Sequence, residues 1–355
     1  MRVNRRKTRK IYVGNVPIGG DAPISVQSMT KTDTRDTKKT ILQIKQLQKA
    51  GAEIVRVAVP DMEAAKAIGK IKKSVKIPII ADIHFNYKLA LESIRQGVSG
   101  LRINPGNIGA QWKIKEVVNA AKENKIPIRI GVNAGSLPKD ILQKYGHSSP
   151  EAMVEAASRH IDILEELDFS YIKVSLKASD VLKTIEAYRV FSEKYDYPLH
   201  VGITEAGPPP EGIVKGAIGI GILLLEGIGD TVRVSLTDSP VKEVEVAYEI
   251  LRTVGARKVG VEIISCPTCG RCEVNIKRMV TQVRKSLKNI KSPLKVAVMG
   301  CCVNGPGEAK EADFGIAGGK GQGIVFAKGE VIKTVKESEL VFSLIEEIRK
   351  NLNNL

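Results

Sequence analysis

Eight short runs rich in β-branched residues recur through the first 260 residues, each followed by a longer amphipathic stretch. That alternation restricts the fold more than any other feature of the chain, because it is the pattern of a parallel sheet wrapped in helices. The runs are ISVQSM from residue 24, IVRVAV from 54, IIADIH from 79, GLRIN from 100, PIRIGVN from 127, YIKVSLK from 171, LHVGIT from 199 and TVRVSL from 231. Between the first two lies KKTILQIKQLQKAG, where Ile41, Ile44 and Leu47 share one helical face and Gly51 supplies the stop. Eight strand-helix units in this length predict an α/β fold closed as a (β/α)8 TIM barrel over residues 1–260. Ahead of the first run, KIYVGNVPIGGDAP reads as a small hairpin turning at Gly19 and Gly20, a lid on the barrel bottom.

The runs are unusual in what alternates. Successive side chains of a strand point to opposite faces, and here one parity is apolar while the other is polar or basic. In TVRVSL, Val232, Val234 and Leu236 share one face, and Thr231, Arg233 and Ser235 the other. The same split puts Arg56, Asp82 with His84, Arg102 with Asn104, Arg129 with Asn133, and Lys173 with Ser175 and Lys177 on the polar parity. Helices cover the apolar face, so the polar one faces the lumen. An ordinary barrel fills that space with Val, Ile and Leu, and each unpaired buried charge costs several kcal/mol. Acids on this parity are few, Asp82 being the clearest, so an anionic ligand is favoured over internal ion pairing. A di- or polyphosphorylated small molecule is the expected class.

The carboxyl ends of the strands, where barrels keep their chemistry, carry INPGNIG after the fourth run and VNAGSL after the fifth. Glu205 follows the seventh run and is a candidate proton donor, with a surface or ion-pair role as the alternative. His84 beside Asp82 suits a substrate hydrogen bond better than a metal, because no third ligand of matching type accompanies them.

The formal net charge of +16 alone does not choose between nucleic acid, a membrane surface and a small polyanion. No nucleic-acid motif accompanies it, so no nucleic-acid partner is expected. No apolar stretch approaches the roughly 20 residues of a spanning helix, and MRVNRRKTRK has no apolar segment of signal type. A soluble, cytoplasmic protein without a membrane partner is expected. The five cysteines all follow residue 265, an arrangement that suits metal or redox chemistry better than a disulfide framework.

Residues 261–355 change period and read as a small α+β module. It has a helix from about 273 to 289, a strand LKVAVMG, a loop CCVNGPGEA, a Gly-rich GIAGGKGQG, a hairpin IVFAKGEVI and a closing helix from about 337. Cys266, Cys269 and Cys272 precede the first helix, while Cys301 and Cys302 open the later loop. A four-cysteine zinc knuckle needs its second pair spaced CxxC, which GCCVNG lacks. An iron-sulfur cluster, which accepts three thiolates and another ligand, fits two thiolates from the first group and one from the second.

CPTCGR at 266–271 and MGCCVNGPGEA at 299–309, with VQSMT, VRVAVP, ADIHF, LRINPGNIG, RIGVNAGSL, VSLKASD, GITEAG and EGIGDTVRVSL in order, resemble the bacterial 4-hydroxy-3-methylbut-2-enyl diphosphate synthases. The resemblance spans nearly the whole chain. It implies an N-terminal TIM barrel, a small iron-sulfur domain with one 4Fe-4S cluster per subunit, and a homodimer whose active site is shared between subunits. It also implies a two-electron reductive ring opening of 2-C-methyl-D-erythritol 2,4-cyclodiphosphate in the non-mevalonate isoprenoid pathway, with reduced ferredoxin or flavodoxin as donor. By the same resemblance the cluster ligands fall on Cys266, Cys269, Cys301 and Glu308. Substrate contacts fall on Arg56, His84, Arg102, Asn104, Arg129, Asn133, Lys177, Arg233 and Ser235, and the proton-donating acid on Glu205. Cys272 and Cys302 depart from the commoner family pattern, and a fourth thiolate from either is the alternative to Glu308.

Overall fold

A computed structural model describes residues 3–301, 307 and 309–352, and the chain divides into two compact units, Met1–Arg257 and Lys258–Leu355.

In the first unit a two-stranded hairpin, β1 (Ile11–Val13) and β2 (Val16–Ile18), precedes eight parallel strands. These are β3 (Ser25–Met29), β4 (Ile54–Ala58), β5 (Ile79–Asp82), β6 (Gly100–Arg102), β7 (Ile128–Asn133), β8 (Ile172–Lys177), β9 (His200–Val201) and β10 (Thr231–Val232). They run in the order β8-β7-β6-β5-β4-β3-β10-β9, and a parallel bridge from Val174 to Leu199 joins the two ends of the sheet. The result is the (β/α)8 TIM barrel that the alternation predicts. A long helix follows every strand, beginning with α1 (Thr37–Ala50). Asp36 caps α1 by accepting from the Lys39 amide, Gly51 ends it in a left-handed conformation, and Thr40, Ile44 and Leu47 form its buried face.

The hairpin departs from expectation in its turn. Val13 pairs with Val16, so the reversal lies at Gly14 and Asn15 and not at Gly19 and Gly20. Gly14 has a φ of 60°, and two-residue hairpin loops require such left-handed positions. Ile11, Val13 and Ile18 pack with Ile54 and Ile80, inward-facing residues near the amino ends of β4 and β5, and so seal that end of the barrel.

The second unit is a five-stranded sheet in sequence order: β11 (Val261–Ser265), β12 (Leu294–Met299), β13 (Phe314–Gly318), β14 (Gln322–Ala327) and β15 (Glu330–Lys336). The first three strands are parallel and the rest antiparallel. A helix between β11 and β12, Ile276–Leu287, and one closing the unit, Leu340–Leu352, both bury their apolar faces in a common core with the sheet. Two strands add to the sequence reading: Val261–Ser265, just ahead of the cysteines, is an edge strand, and the first part of GIAGGKGQG is a buried central one. Glycine enters that strand because a Cβ on Gly315 would lie 2.2 Å from the Phe326 ring.

Candidate active site

Registered neighbours in a parallel sheet project to the same face, and the register carries a cationic belt around the lumen. Arg56 pairs with Met29, Asp82 with Arg102, Arg102 with Arg129, Arg129 with Lys173, and Asn133 with Lys177. Asp82 is the anion of this belt. Its carboxylate lies 3.5 Å from Arg56 Nε, 3.4 Å from Arg102 Nη1 and 3.9 Å from His84 Nε2. The His84 ring meets Arg102 Nη1 at 3.2 Å, while Arg56 Nη2 rests 2.9 Å from the Met29 sulfur. Asn104 accepts from the Gly131 amide at 2.9 Å and donates to its carbonyl at 3.0 Å, and Arg102 donates to the same carbonyl. Arg129 Nη1 donates to Ser175 Oγ at 2.6 Å.

Burial alone would raise the Asp82 carboxyl, but Arg56, Arg102, Arg129 and His84 outweigh it and hold the group below its ordinary value. His84 is pushed down, first by burial, then by Arg102 and Arg56 against the pull of Asp82. Around Asp82 the cations are in excess. Arg129 Nε and Nη2, Arg233 Nε and Lys173 Nζ are buried with no hydrogen-bond partner among the described residues. Burial, then Arg129 and Arg56 against the pull of Asp230, brings the Lys173 ammonium down to about 7, and burial with Arg129, Arg233, Arg56 and Arg102 lowers Lys177 strongly. Close ion pairing therefore accounts for Arg56 and Arg102, while Arg129, Lys173, Lys177 and Arg233 have no ion pair among the described residues; Asp230 and Glu243, the further acids that Lys173 and Arg233 feel, are themselves paired with Arg5 and Lys31. A multiply charged anion is the chemistry that this surplus accepts.

Of the residues singled out from the sequence, the structure gathers Arg56, His84, Arg102, Asn104 and Arg129, with Lys177 and Arg233 among the charges that they feel. Asn133 and Ser235 are half-buried at the carboxyl ends of their runs. Glu205 is exposed in the loop after β9 with a φ of 51°, a left-handed conformation that costs a side-chain-bearing residue free energy and concentrates at functional sites.

Two histidines escaped the sequence reading. His200 of β9 is fully buried, and both ring nitrogens lack a partner among the described residues. Its apolar flanks, Leu199 and Val201, gave no hint, although it shares the parity of Ser175. His160, on the helix Pro150–Glu165, accepts from the Gly106 amide at 3.1 Å and so holds the INPG turn. Burial first, then Arg102 and Arg159, push it down to about 4 from 6.5. The unfolded chain takes up this proton as pH falls through 6.5 while the native chain does not, so stability is lost between pH 6.5 and about 4, by up to about 3 kcal/mol. His160→Asn is expected to flatten that part of the pH dependence. Urea midpoints at pH 7 and pH 4.5 check it, and an unchanged slope would remove His160 from the acid sensitivity.

In the second unit, Cys266, Cys269, Cys272 and Cys301 are free thiols. Cys266 Sγ accepts from the Gly300 amide at 3.2 Å, and Cys272 Sγ donates to the Val274 carbonyl at 3.2 Å. A Cβ on Gly300 would lie 2.5 Å from Cys272 Sγ and 3.2 Å from Cys266 Sγ, so glycine lets the chain between β12 and Cys301 approach the first cysteine group. Among the described residues no three His, Cys, Asp or Glu side chains stand close enough to hold a metal ion, and Glu308 and Cys302 lie outside the described residues. The donors are soft thiols, one already accepting an N–H bond as cluster-binding sulfurs do, and that chemistry fits an iron-sulfur group.

Residues 8–248 match the family model for the GcpE TIM-barrel domain, and residues 262–350 match that for the GcpE protein C-terminal domain. The chain belongs to the GcpE family. Among its GcpE relatives, a Thermodesulfovibrio yellowstonii protein is 76% identical over 98% of this chain and 100% of its own length. A Geobacter sulfurreducens protein is 59% identical over 98% of this chain and 99% of its own. Both are named 4-hydroxy-3-methylbut-2-en-1-yl diphosphate synthase (flavodoxin). A solved Yersinia pestis dihydropteroate synthase with a sulfonamide drug superposes with a TM-score of 0.50 and 11% identity, over 70% of this chain and 100% of that one, a likeness of fold alone. No helix among the described residues is long and apolar enough to cross a membrane.

Proposed function

We propose that this GcpE-family chain is a cytoplasmic 4-hydroxy-3-methylbut-2-en-1-yl diphosphate synthase. It would reductively open 2-C-methyl-D-erythritol 2,4-cyclodiphosphate with loss of water, as a homodimer with flavodoxin as electron donor. The observation that carries the reading is the surplus of lumen cations whose buried nitrogens have no hydrogen-bond partner among the described residues, beside the one acid, Asp82, that pairs with the belt. Relatives so named, similar along the whole chain, support it.

In this reading Arg56, Arg102, Arg129, Lys177 and Arg233 bind the diphosphate oxygens, and the charge that develops as the ring opens is met by donors already in place. Asp82 fixes Arg56 and Arg102, while His84, Asn104, Asn133 and Ser235 hydrogen-bond the polyol and phosphate edges. Glu205 gives a proton to the hydroxyl that leaves as water. Cys266, Cys269, Cys301 and Glu308 would hold a 4Fe-4S cluster, one per subunit. When bound, that cluster supplies the electrons that no side chain can.

The test is anaerobic purification, iron and sulfide analysis, and turnover of the cyclodiphosphate with reduced methyl viologen. A cluster with turnover is expected; a cluster without turnover overturns the assignment. In the same assay Glu205→Gln is expected to lower kcat by roughly 10²–10⁴ with KM little changed. Retention of full kcat would take the proton-donor role away from Glu205.

A further inference from the structure

Charge in the second unit is strongly segregated. Residues 258–355 carry sixteen Lys and Arg against ten Asp and Glu, yet the stretch 271–295 alone carries eight against one, Glu273. The remainder of the unit is therefore close to neutral, with eight against nine, and its entire positive excess lies in this one stretch.

The stretch is built around the helix Ile276–Leu287, which Asn275 caps by accepting from the Arg278 amide. Ile276, Met279, Val283 and Leu287 recur at helical spacing and face the core of the unit. The opposite face presents Lys277, Arg278, Arg284 and Lys285, all exposed. The helix contains no acidic residue, and these four make no ion pair among the described residues. Basic residues elsewhere are commonly matched: Arg35 with Asp33 and Asp61, Arg159 with Asp140 and Glu155, Arg189 with Glu226. Lys277 and Arg284, and likewise Arg278 and Lys285, stand seven residues apart, two turns along one helix face, so this face carries a stripe of like charge open to a partner of opposite sign.

Its position says which partner. The stripe starts five residues after Cys272, beyond an exposed turn that contains Cys269, and Glu273 ties this turn to Gly300, the residue before Cys301, through its amide at 3.1 Å. A carrier that docks on the stripe sits beside the cysteines to which the proposed function assigns the electron-accepting group. We propose that the exposed face of Ile276–Leu287 is the docking surface for an acidic, flavodoxin-type electron carrier. The inference rests on that functional reading. Complementary charge of this kind steers encounter and is weakened by salt.

The test uses the holoenzyme carrying K277E, R278E, R284E and K285E together, none of them a cysteine-loop residue. Binding of an oxidised bacterial flavodoxin is measured by calorimetry at low and high salt, and turnover with reduced flavodoxin and, separately, with reduced methyl viologen. Expected results are wild-type iron content, an unchanged viologen rate, roughly tenfold or greater loss of flavodoxin affinity with a matching rise in its KM, and loss of the salt dependence. An unchanged flavodoxin affinity and KM would overturn the docking surface while leaving the synthase reading intact. So would an equal loss in a control with K38E, K45E, K49E and K70E on the barrel helices, since that would be a general effect of net charge. A change in subunit mass in place of a change in affinity would assign the face to a second copy of the chain and overturn the proposal. Absence of viologen turnover in the wild type would instead strike the functional reading, and the carrier surface with it.

Discussion

Arg129→Met is expected to unfold at a higher urea concentration than the parent protein while binding the cyclodiphosphate roughly a hundredfold or more weakly. The two effects have one cause. Arg129 is 3% exposed, two of its three guanidinium nitrogens lack partners among the described residues, and it stands in register with Lys173 and Arg102, both cationic. Burial first, then Arg56 and Arg102 against the pull of Asp82, hold its pKa well below the ordinary value, so the buried charge is unfavourable chiefly because it has lost water. Replacing a buried, poorly matched charge by an apolar side chain of similar length commonly stabilises by about 1–4 kcal/mol. Removing one member of a desolvated charge pair with a ligand costs about 2–5 kcal/mol, about 30-fold to several thousand-fold in affinity. Urea unfolding of the ligand-free protein and calorimetric binding measure the two halves separately. A variant that is destabilised and still binds tightly would show that Arg129 is a structural residue.

Cys266→Ser is expected to abolish the iron content of the anaerobically purified protein and to lower turnover by more than about 100-fold, since even residues that only support a metal ligand are worth 10–100-fold. The unfolding of the barrel should be unchanged, because Cys266 belongs to the other compact unit. Cys272→Ser is the informative contrast. The Cys272 thiol donates to the Val274 carbonyl, a bond that needs the proton a ligand thiolate would have lost, so this variant is expected to keep its iron. Iron and acid-labile sulfide per chain decide both cases. Loss of iron from Cys272→Ser would bring Cys272 into the ligand set, the alternative that its extra thiol raised from the outset.

The barrel was legible because its strands carry a period of two with a contrast far stronger than usual: arginine and lysine alternate with valine, isoleucine and leucine. The same contrast brought Arg56, Arg102 and Arg129 to one surface before any coordinates, and the structure adds that Asp82 holds two of them. His160 was illegible because it acts from a neighbouring helix on the backbone of a loop, a contact with no sequence period. The hairpin turn was misread because two adjacent glycines drew attention from Gly14-Asn15, where the pairing of Val13 with Val16 demands the left-handed residue. Val261–Ser265 was missed because an edge strand of five residues, exposed or half-buried along its length, has little apolar contrast to announce it. Cysteine grouping pointed to two thiolates before the first helix and one after the strand LKVAVMG, but the choice among them, and the carboxylate Glu308, rested on the family resemblance, because residues so far apart along the chain have no diagnostic spacing.

Ile11, Val13 and Ile18 of the amino-terminal hairpin close over Ile54 and Ile80, and this makes the barrel a blind well with a single mouth. Reactant and product must then pass the same rim in opposite directions. In the proposed synthase a second cyclodiphosphate would enter only after the diphosphate just formed had left the arginines, and the linear product, holding the same anionic anchor, would exclude the cyclic one. On that reading competitive product inhibition is expected of such a vessel, with its emptying rate a ceiling on turnover that no improvement in electron supply would lift.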